Sequence, residues 1–490
     1  MKIQSISFAL LGAALAPVVR CDAQSVSVTV ANGTLVGVED SKSDVQKFLG
    51  IPYAQPPIGD LRLRQARPLN SSFGTLQANA FGHSCYGAGS QPNASDDCLT
   101  LNIWRPPGKG AEAKELLPVL VWLYRGGLAA GYTSDPLFEG TNMVSISTEI
   151  QKPVILVSIN YRLGSLGFLN GKQMAELGLL NIGMLDQRLA LHWIQENIAA
   201  FGGDPGKVTL FGESVSAEEQ LDCIRALPID VFRASIGPKT GQSIDGDFTR
   251  TSIQFALPAG QYLKVPTVVG ANTDEGTHSA PKGINTTDQL FEPLAQGYFR
   301  PHRLPNATVS KLLELYPTNP RLGCPYSTGD TRLTPGDLDK QACSIFGDLV
   351  MVAPARQLAS TLAADGVAVY RYRFNQLPPP GGSPARGIST GVEQAYVFSN
   401  FFVGGTSSSS PPPSAWDRAL AYEMTSAWVS FAHDLDPNPG GNSALPHWPE
   451  YGKEANSIVF NGQGSWVEKD TYRDEGIRYI IQNVLPDGAL

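Results

Sequence analysis

Histidine is scarce in this chain, six residues in 490. None stands at metal-ligand spacing from a cysteine, so no zinc site and no other metal site is read. Past residue 23 there is no run of 18 uninterrupted apolar residues, which leaves no expected membrane span. The last stretch, IIQNVLPDGAL (480–490), is too short and mixed for a lipid-anchor tail. A basic surplus is missing as well: 37 lysines and arginines face 45 acidic residues, a net charge of -8. That excludes the electrostatic footprint of a nucleic-acid binder. Gly126-Gly127 and Gly202-Gly203 do not reach G-x-G-x-x-G spacing, so no dinucleotide cofactor is implied.

What the chain does hold is turn chemistry, with 50 glycines and 37 prolines, which argues against a helical bundle or a repeat array. Its length, at 42% hydrophobic residues, buries a large core in one or two domains. Residues 1–23 combine Lys2, an apolar run from Ile6 to Val19 and a small residue at Ala23, the pattern of a secretory signal peptide. Glycosylation triplets at Asn32, Asn70, Asn93, Asn285 and Asn306 fit that route. The cysteines are Cys21, Cys85, Cys98, Cys223, Cys324 and Cys343. Without Cys21 five remain; Cys85 with Cys98, and Cys324 with Cys343, would each close a short loop and leave Cys223 over.

Strand and helix patterns alternate. SVSVTVANGTLVGVED reads as an edge hairpin turning at Asn32-Gly33, and LTLNIWRP, LPVLVWLY and PVILVSINY as strands, the last two buried on both faces. LDQRLALHWIQENIAAF (185–201) shifts to helical period through Leu185, Leu189, Trp193 and Ile198, and Gly202-Gly203 stops it. KVTLFG (207–212), VPTVVGAN (265–272) and VAVYRYRF (367–374) return to strand, and WDRALAYEMTSAWVSFAH (416–433) is a long helix. Gly404–Pro413 is a surface loop. This order predicts an α/β fold, a mostly parallel sheet covered by helices on both faces, with its site in loops at the strands' carboxyl ends. Ser214, Arg125-Gly126-Gly127 and Asp274-Glu275-Gly276 fall in such loops.

The segments FLGIPYAQPPIGDLRLRQ, DDCLTLNIWRP, NYRLGSLGF, DQRLALHWIQENIAAFGGDPGKVTLFGES and GANTDEGT occur in the order that resembles the type B carboxylesterases, the cholinesterase/lipase branch of the α/β-hydrolases. The resemblance covers nearly the whole of residues 24–490, read as a single domain. It implies a secreted carboxylic ester hydrolase acting on a small-molecule ester, with no cofactor or metal. Ser214 stands at the nucleophile position and Glu275 at the triad acid; Gly126, Gly127 and Val215 stand where the oxyanion donors belong. Cys85 and Cys98 match a disulfide of the family.

Three departures stand against that pattern. Arg125 replaces the first glycine of the oxyanion run, where a side chain crowds the turn. Thr390, in Thr390-Gly391-Val392-Glu393, occupies the place of the catalytic histidine ahead of an expected aromatic–Val–Phe strand, and its hydroxyl does not take up a proton near pH 7. Of the other histidines, His192 reads as structural and His433 as a helix cap, leaving His278 or His447 as substitute bases. Finally, EEQLDCIRALP begins four residues after Ser214, where the family carries a helix, a strand and a second helix first. An internal deletion, or a coding stretch skipped in translation of the gene, would explain both the altered turn and the unpaired Cys223. It implies a sheet short of one strand and its flanking helices. An inactive family member or a non-catalytic binding module is the alternative function.

Overall fold

The computed structural model describes residues 24–108, 115–213, 242–251, 253–297, 303–331, 334–377, 385–401, 412–441 and 443–486. The segment 1–23, Ser214, Val215, Cys223, His302 and most of the 404–413 loop lie outside the described residues.

The hairpin forms as patterned: β1 (Gln24–Val30) runs antiparallel to β2 (Gly33–Asp40) around Asn32-Gly33. Then come β3 (Val45–Pro52), β4 (Gly74–Gln77), β5 (Thr100–Arg105), β6 (Leu117–Leu123), β7 (Ile155–Ile159) and β8 (Gly203–Gly212). They make one sheet in the order β1-β2-β3-β5-β7-β6-β8, with β4 beside β2. A second sheet holds β9 (Thr267–Asn272), β10 (Val369–Phe374), β11 (Asn456–Phe460) and β12 (Trp466–Lys469), ordered β12-β11-β10-β9. Parallel pairing is concentrated in β7-β6-β8 and β9-β10-β11; the N-terminal hairpins and β12 make the whole arrangement mixed. The parallel pairs are those whose connections are long enough to carry a crossover helix, as between β6 and β7, where Thr141–Glu149 lies.

Every residue of β5 and β7 is buried, and every residue of β6 except half-buried Leu123. Two of the polar members are well paired, although among the described residues Thr100 Oγ1 and Trp122 Nε1 are buried without a partner. Asn102 donates to Ser158 Oγ (3.1 Å) and accepts from Gly50 N (2.9 Å), and Arg105 donates to Gln46 Oε1 (2.8 Å) and Phe201 O (3.0 Å). Such pairing is what makes burial of polar groups tolerable. Of the stripe expected to face inward around the helix Ile182–Asn197, Trp193 and Ile198 are buried, while Leu185 and Leu189 are only partly so and their neighbours Asp186 and Ala190 are buried instead. Asp186 points inward because Arg162 meets it with two hydrogen bonds, at 2.7 and 2.6 Å.

The facing strands β8 and β9 are not hydrogen-bonded to each other among the described residues. What joins the sheets near their carboxyl ends is the segment after Thr390. Its Tyr396-Val397-Phe398 stretch, expected as a strand, is the end of a helical turn, Gln394–Val397, because Tyr396 and Val397 N–H both return to Glu393 O. The aromatics therefore radiate: Tyr396 packs on Phe374 of β10, and Phe398 packs on Trp122 of β6 and Phe211 of β8.

Candidate active site

The loop after β9 carries Asp274, Glu275 and Gly276, and each has a separate task. Asp274 accepts from Tyr326 N (2.8 Å) and Ile388 N (2.9 Å), which staples the loop to two distant segments. Gly276 lies against a neighbouring helix so closely that a Cβ there would stand 1.8 Å from the Cys343 carbonyl oxygen. Between them Glu275 is buried, its Oε1 accepting from Asn272 N (2.6 Å) and its Oε2 from the Thr390 hydroxyl (2.6 Å).

Thr390 thus sits on the acid, where the resemblance places a histidine. No described histidine takes that role. His278, although three residues from Glu275, is exposed, as are His192 and His447. His433 Nδ1 lies 2.8 Å from Asp434 Oδ1, and His83 Nδ1 lies 2.9 Å from Asn93 O. The reading of His278 or His447 as a replacement base therefore finds no geometric support: neither ring is a hydrogen-bond partner of Glu275 among the described residues.

Across from the acid, Arg125, Gly126 and Gly127 follow β6. Gly126 (φ +128°) and Gly127 (φ +59°) take conformations that favour glycine, and a Cβ at Gly126 would lie 2.2 Å from Ala130 O. Neither N–H is engaged by a hydrogen bond among the described residues, the condition an oxyanion donor must meet. The exposed Arg125 side chain extends over Gly391, whose added Cβ would stand 1.9 Å from Nη1. The side chain at this position therefore reaches the Thr390 loop.

Two further carboxyls gather here. Glu393 accepts from Asn272 Nδ2 (2.5 Å), and Glu213 Oε2 accepts from Gln394 Nε2 (3.1 Å) while its Oε1 is buried without a partner. Burial, reinforced by the Glu393 charge, pushes Glu275 up to about 8 and Glu213 up to about 7. Burial also raises Glu393, and the Arg125 charge opposes the shift at Glu213 and Glu393. Three acids with one nearby guanidinium cannot all be charged cheaply, so each is shifted upward, and Glu275 keeps its proton to about pH 8. Glu213 and Glu393 lie in the quoted GES and TGVE segments, but their convergence depends on the packing of the turn Gln394–Val397 against β8 and is invisible to motif reading. Ser214 and Val215 lie outside the described residues, two and three positions past the end of β8. Cys85 and Cys98 form the expected disulfide, whereas Cys324 and Cys343 are buried free thiols.

Strand order, covering helices and a site at the carboxyl ends of β6, β8 and β9 define an α/β-hydrolase fold. The crystal structure of Aspergillus niger EstA shares it, with a TM-score of 0.79 at 21% identity over 93% of this chain and 98% of that one. The carboxylesterase family matches in two segments, residues 24–219 and 215–475, and the chain belongs to that family. Similar proteins include "Secreted lipase 1" of Botryotinia fuckeliana (strain B05.10), 29% identical over 99% of both chains. Another is "Fumonisin B1 esterase" of Sphingopyxis macrogoltabida, 30% identical over 93% of this chain and 90% of the relative. "Secreted triacylglycerol lipase LIP1" of Gibberella zeae (strain ATCC MYA-4620 / CBS 123657 / FGSC 9075 / NRRL 31084 / PH-1) is 28% identical over 97% of this chain and 92% of its own. The alignment with the first runs over 593 positions against 490 residues here, so that relative carries stretches with no counterpart in this chain. Among the described residues no helix is long and apolar enough to cross a membrane.

Proposed function

We propose that this chain is a secreted carboxylic ester hydrolase whose proton relay is broken at Thr390. Ser214 is the nucleophile, Glu275 the acid of the former triad, and the N–H groups of Gly126, Gly127 and Val215 the oxyanion donors. The observation that carries this reading is the 2.6 Å hydrogen bond between the Thr390 hydroxyl and Glu275 Oε2. The acid is present and facing the right loop, but its partner is a hydroxyl that cannot relay the serine proton. What remains is ester binding and oxyanion stabilisation, which by themselves support slow turnover. Signal cleavage after residue 23 and glycosylation at the exposed Asn70, Asn93, Asn285 and Asn306 complete the proposed secretory route.

An internal deletion after Ser214 belongs to the same reading. It is supported by the family match dividing at 215–219 and by the absence of pairing between β8 and β9 among the described residues. The same Thr390–Glu275 bond favours the second reading, a non-catalytic binding module that kept the pocket and lost the chemistry.

Hydrolysis of a short-chain activated ester by purified full-length protein separates them, using the wild type, Ser214→Ala and Thr390→His. The hydrolase reading expects weak turnover that Ser214→Ala scarcely lowers, because the relay is already broken, and that Thr390→His raises on the order of 10²–10⁴-fold. Equal background rates in all three folded proteins would overturn it and leave the binding module.

A further inference from the structure

Cys324 and Cys343 take no part in the chemistry above, yet they meet directly behind its acid. The Cys324 N–H donates to Lys340 O (3.3 Å) and to Ser344 Oγ (3.0 Å), so its backbone straddles Cys343 on the helix Asp339–Gly347. The two residues line one small cavity with Glu275 and Gly276, and both are buried. Each also touches the acid loop. Cys324 Sγ lies 3.6 Å from Asp274 Oδ1, and the Cys343 carbonyl presses on Gly276. The Lys282 ammonium stands 3.2 Å from Cys343 Sγ. The hydrogen bond from Cys324 brings the Cys343 thiol down to about 7 against its burial, with Lys282 helping, while burial pushes Cys324 up. This suits Cys343 to be the attacking thiolate of the closing step, because the thiolate is the nucleophile in exchange.

We propose that Cys324 and Cys343 form a disulfide that clamps the Asp274–Glu275–Gly276 loop to the helix Asp339–Gly347. Cys85 and Cys98 are already bridged, which places the chain where disulfides form. The oxidant is a small-molecule disulfide such as oxidised glutathione. During folding, while Cys324 is still open, its sulfur displaces one half of that disulfide; the released thiolate takes the Cys324 proton. Once the helix docks, Cys343 releases its proton to water, attacks the Cys324 sulfur of the mixed disulfide as the thiolate and expels the second half as a thiolate, which takes up a proton from water. Two protein thiols are oxidised and one small disulfide is reduced to two thiols. The bridge forms whether or not the chain hydrolyses esters.

The test is peptide mapping of the full-length secreted protein, denatured without reductant in N-ethylmaleimide. The expected result is a cross-linked peptide pair holding both residues, 2 Da lighter than the sum of the two reduced peptides and free of label. Labelling of both Cys324 and Cys343 would overturn the proposal. The clamp itself is read by hydrogen exchange in the Cys324→Ser/Cys343→Ser variant. Amides 274–279 are expected to exchange at least fivefold faster than in the wild type, and unchanged protection would reject the clamp. Should that variant fail to fold, the wild-type map still decides whether the bridge exists.

Discussion

The strands β5, β7 and β6 and the strands β8 and β9 occupy one fold but live in different surroundings. The first three are buried almost residue for residue. Along β8 only Gly203 is buried and Leu210 is 50% exposed; along β9 only Ala271 and Asn272 are buried. Charge follows the same division. Asp186, on the helix Ile182–Asn197, meets Arg162, which lies just past β7, in a two-point pair. Glu213, Glu275 and Glu393, between β8 and β9, form no salt bridge among the described residues. The first region neutralises its buried charge in an ion pair, whereas these three carboxyls lack a salt-bridge partner and their pKa values are raised.

The sharpest way to expose that difference is Arg162→Ala, which strands the Asp186 carboxylate in the interior. Loss of one partner of a buried pair costs roughly 3–5 kcal/mol, to be read from urea unfolding. A cost below about 1 kcal/mol would mean that water reaches Asp186 and that the first region is no drier than the second.

Glu275→Gln should act in the opposite direction. Between pH 4.5 and about 8 the folded protein holds a proton on Glu275 that the unfolded chain has released. The folded state then binds more protons, so stability falls as pH rises through that window. The variant removes that slope, with a gain on the order of 1–3 kcal/mol at pH 8 and little change at pH 5. A pH profile identical to the wild type would show Glu275 ionised in the fold.

How much of this was legible beforehand divides along the same line. LPVLVWL announces a buried strand because it carries no polar face. That Glu275 and Thr390 draw attention could be read from the order of the segments, but their 2.6 Å contact could not. The three-carboxyl cluster was not legible, since Glu213 and Glu393 are 180 residues apart in sequence and meet only through a helical turn that reads as a strand. The inward stripe around Ile182–Asn197 was legible at Trp193 and Ile198 but not at its first turns, where a buried Asp186 looks polar until Arg162 is seen beside it.

The smallest expected effect belongs to Leu210→Thr, within about 0.5 kcal/mol of the wild type, as for a surface position. A loss above about 2 kcal/mol would show that β8 is covered in solution, and the contrast between the two regions would fail at that strand.

The two-armed grip of Asp274 has an evolutionary consequence. Because Asp274 holds both the Tyr326 and the Ile388 backbones, the spacing between positions 275 and 390 is set without help from the residue at 390 itself. A lineage relieved of the need for turnover could therefore exchange that residue with little penalty in folding, and stability alone would exert no pull to keep it. The same frame would receive a histidine again, so the exchange proposed at Thr390 would be reversible in a way that the deletion proposed after Ser214 would not.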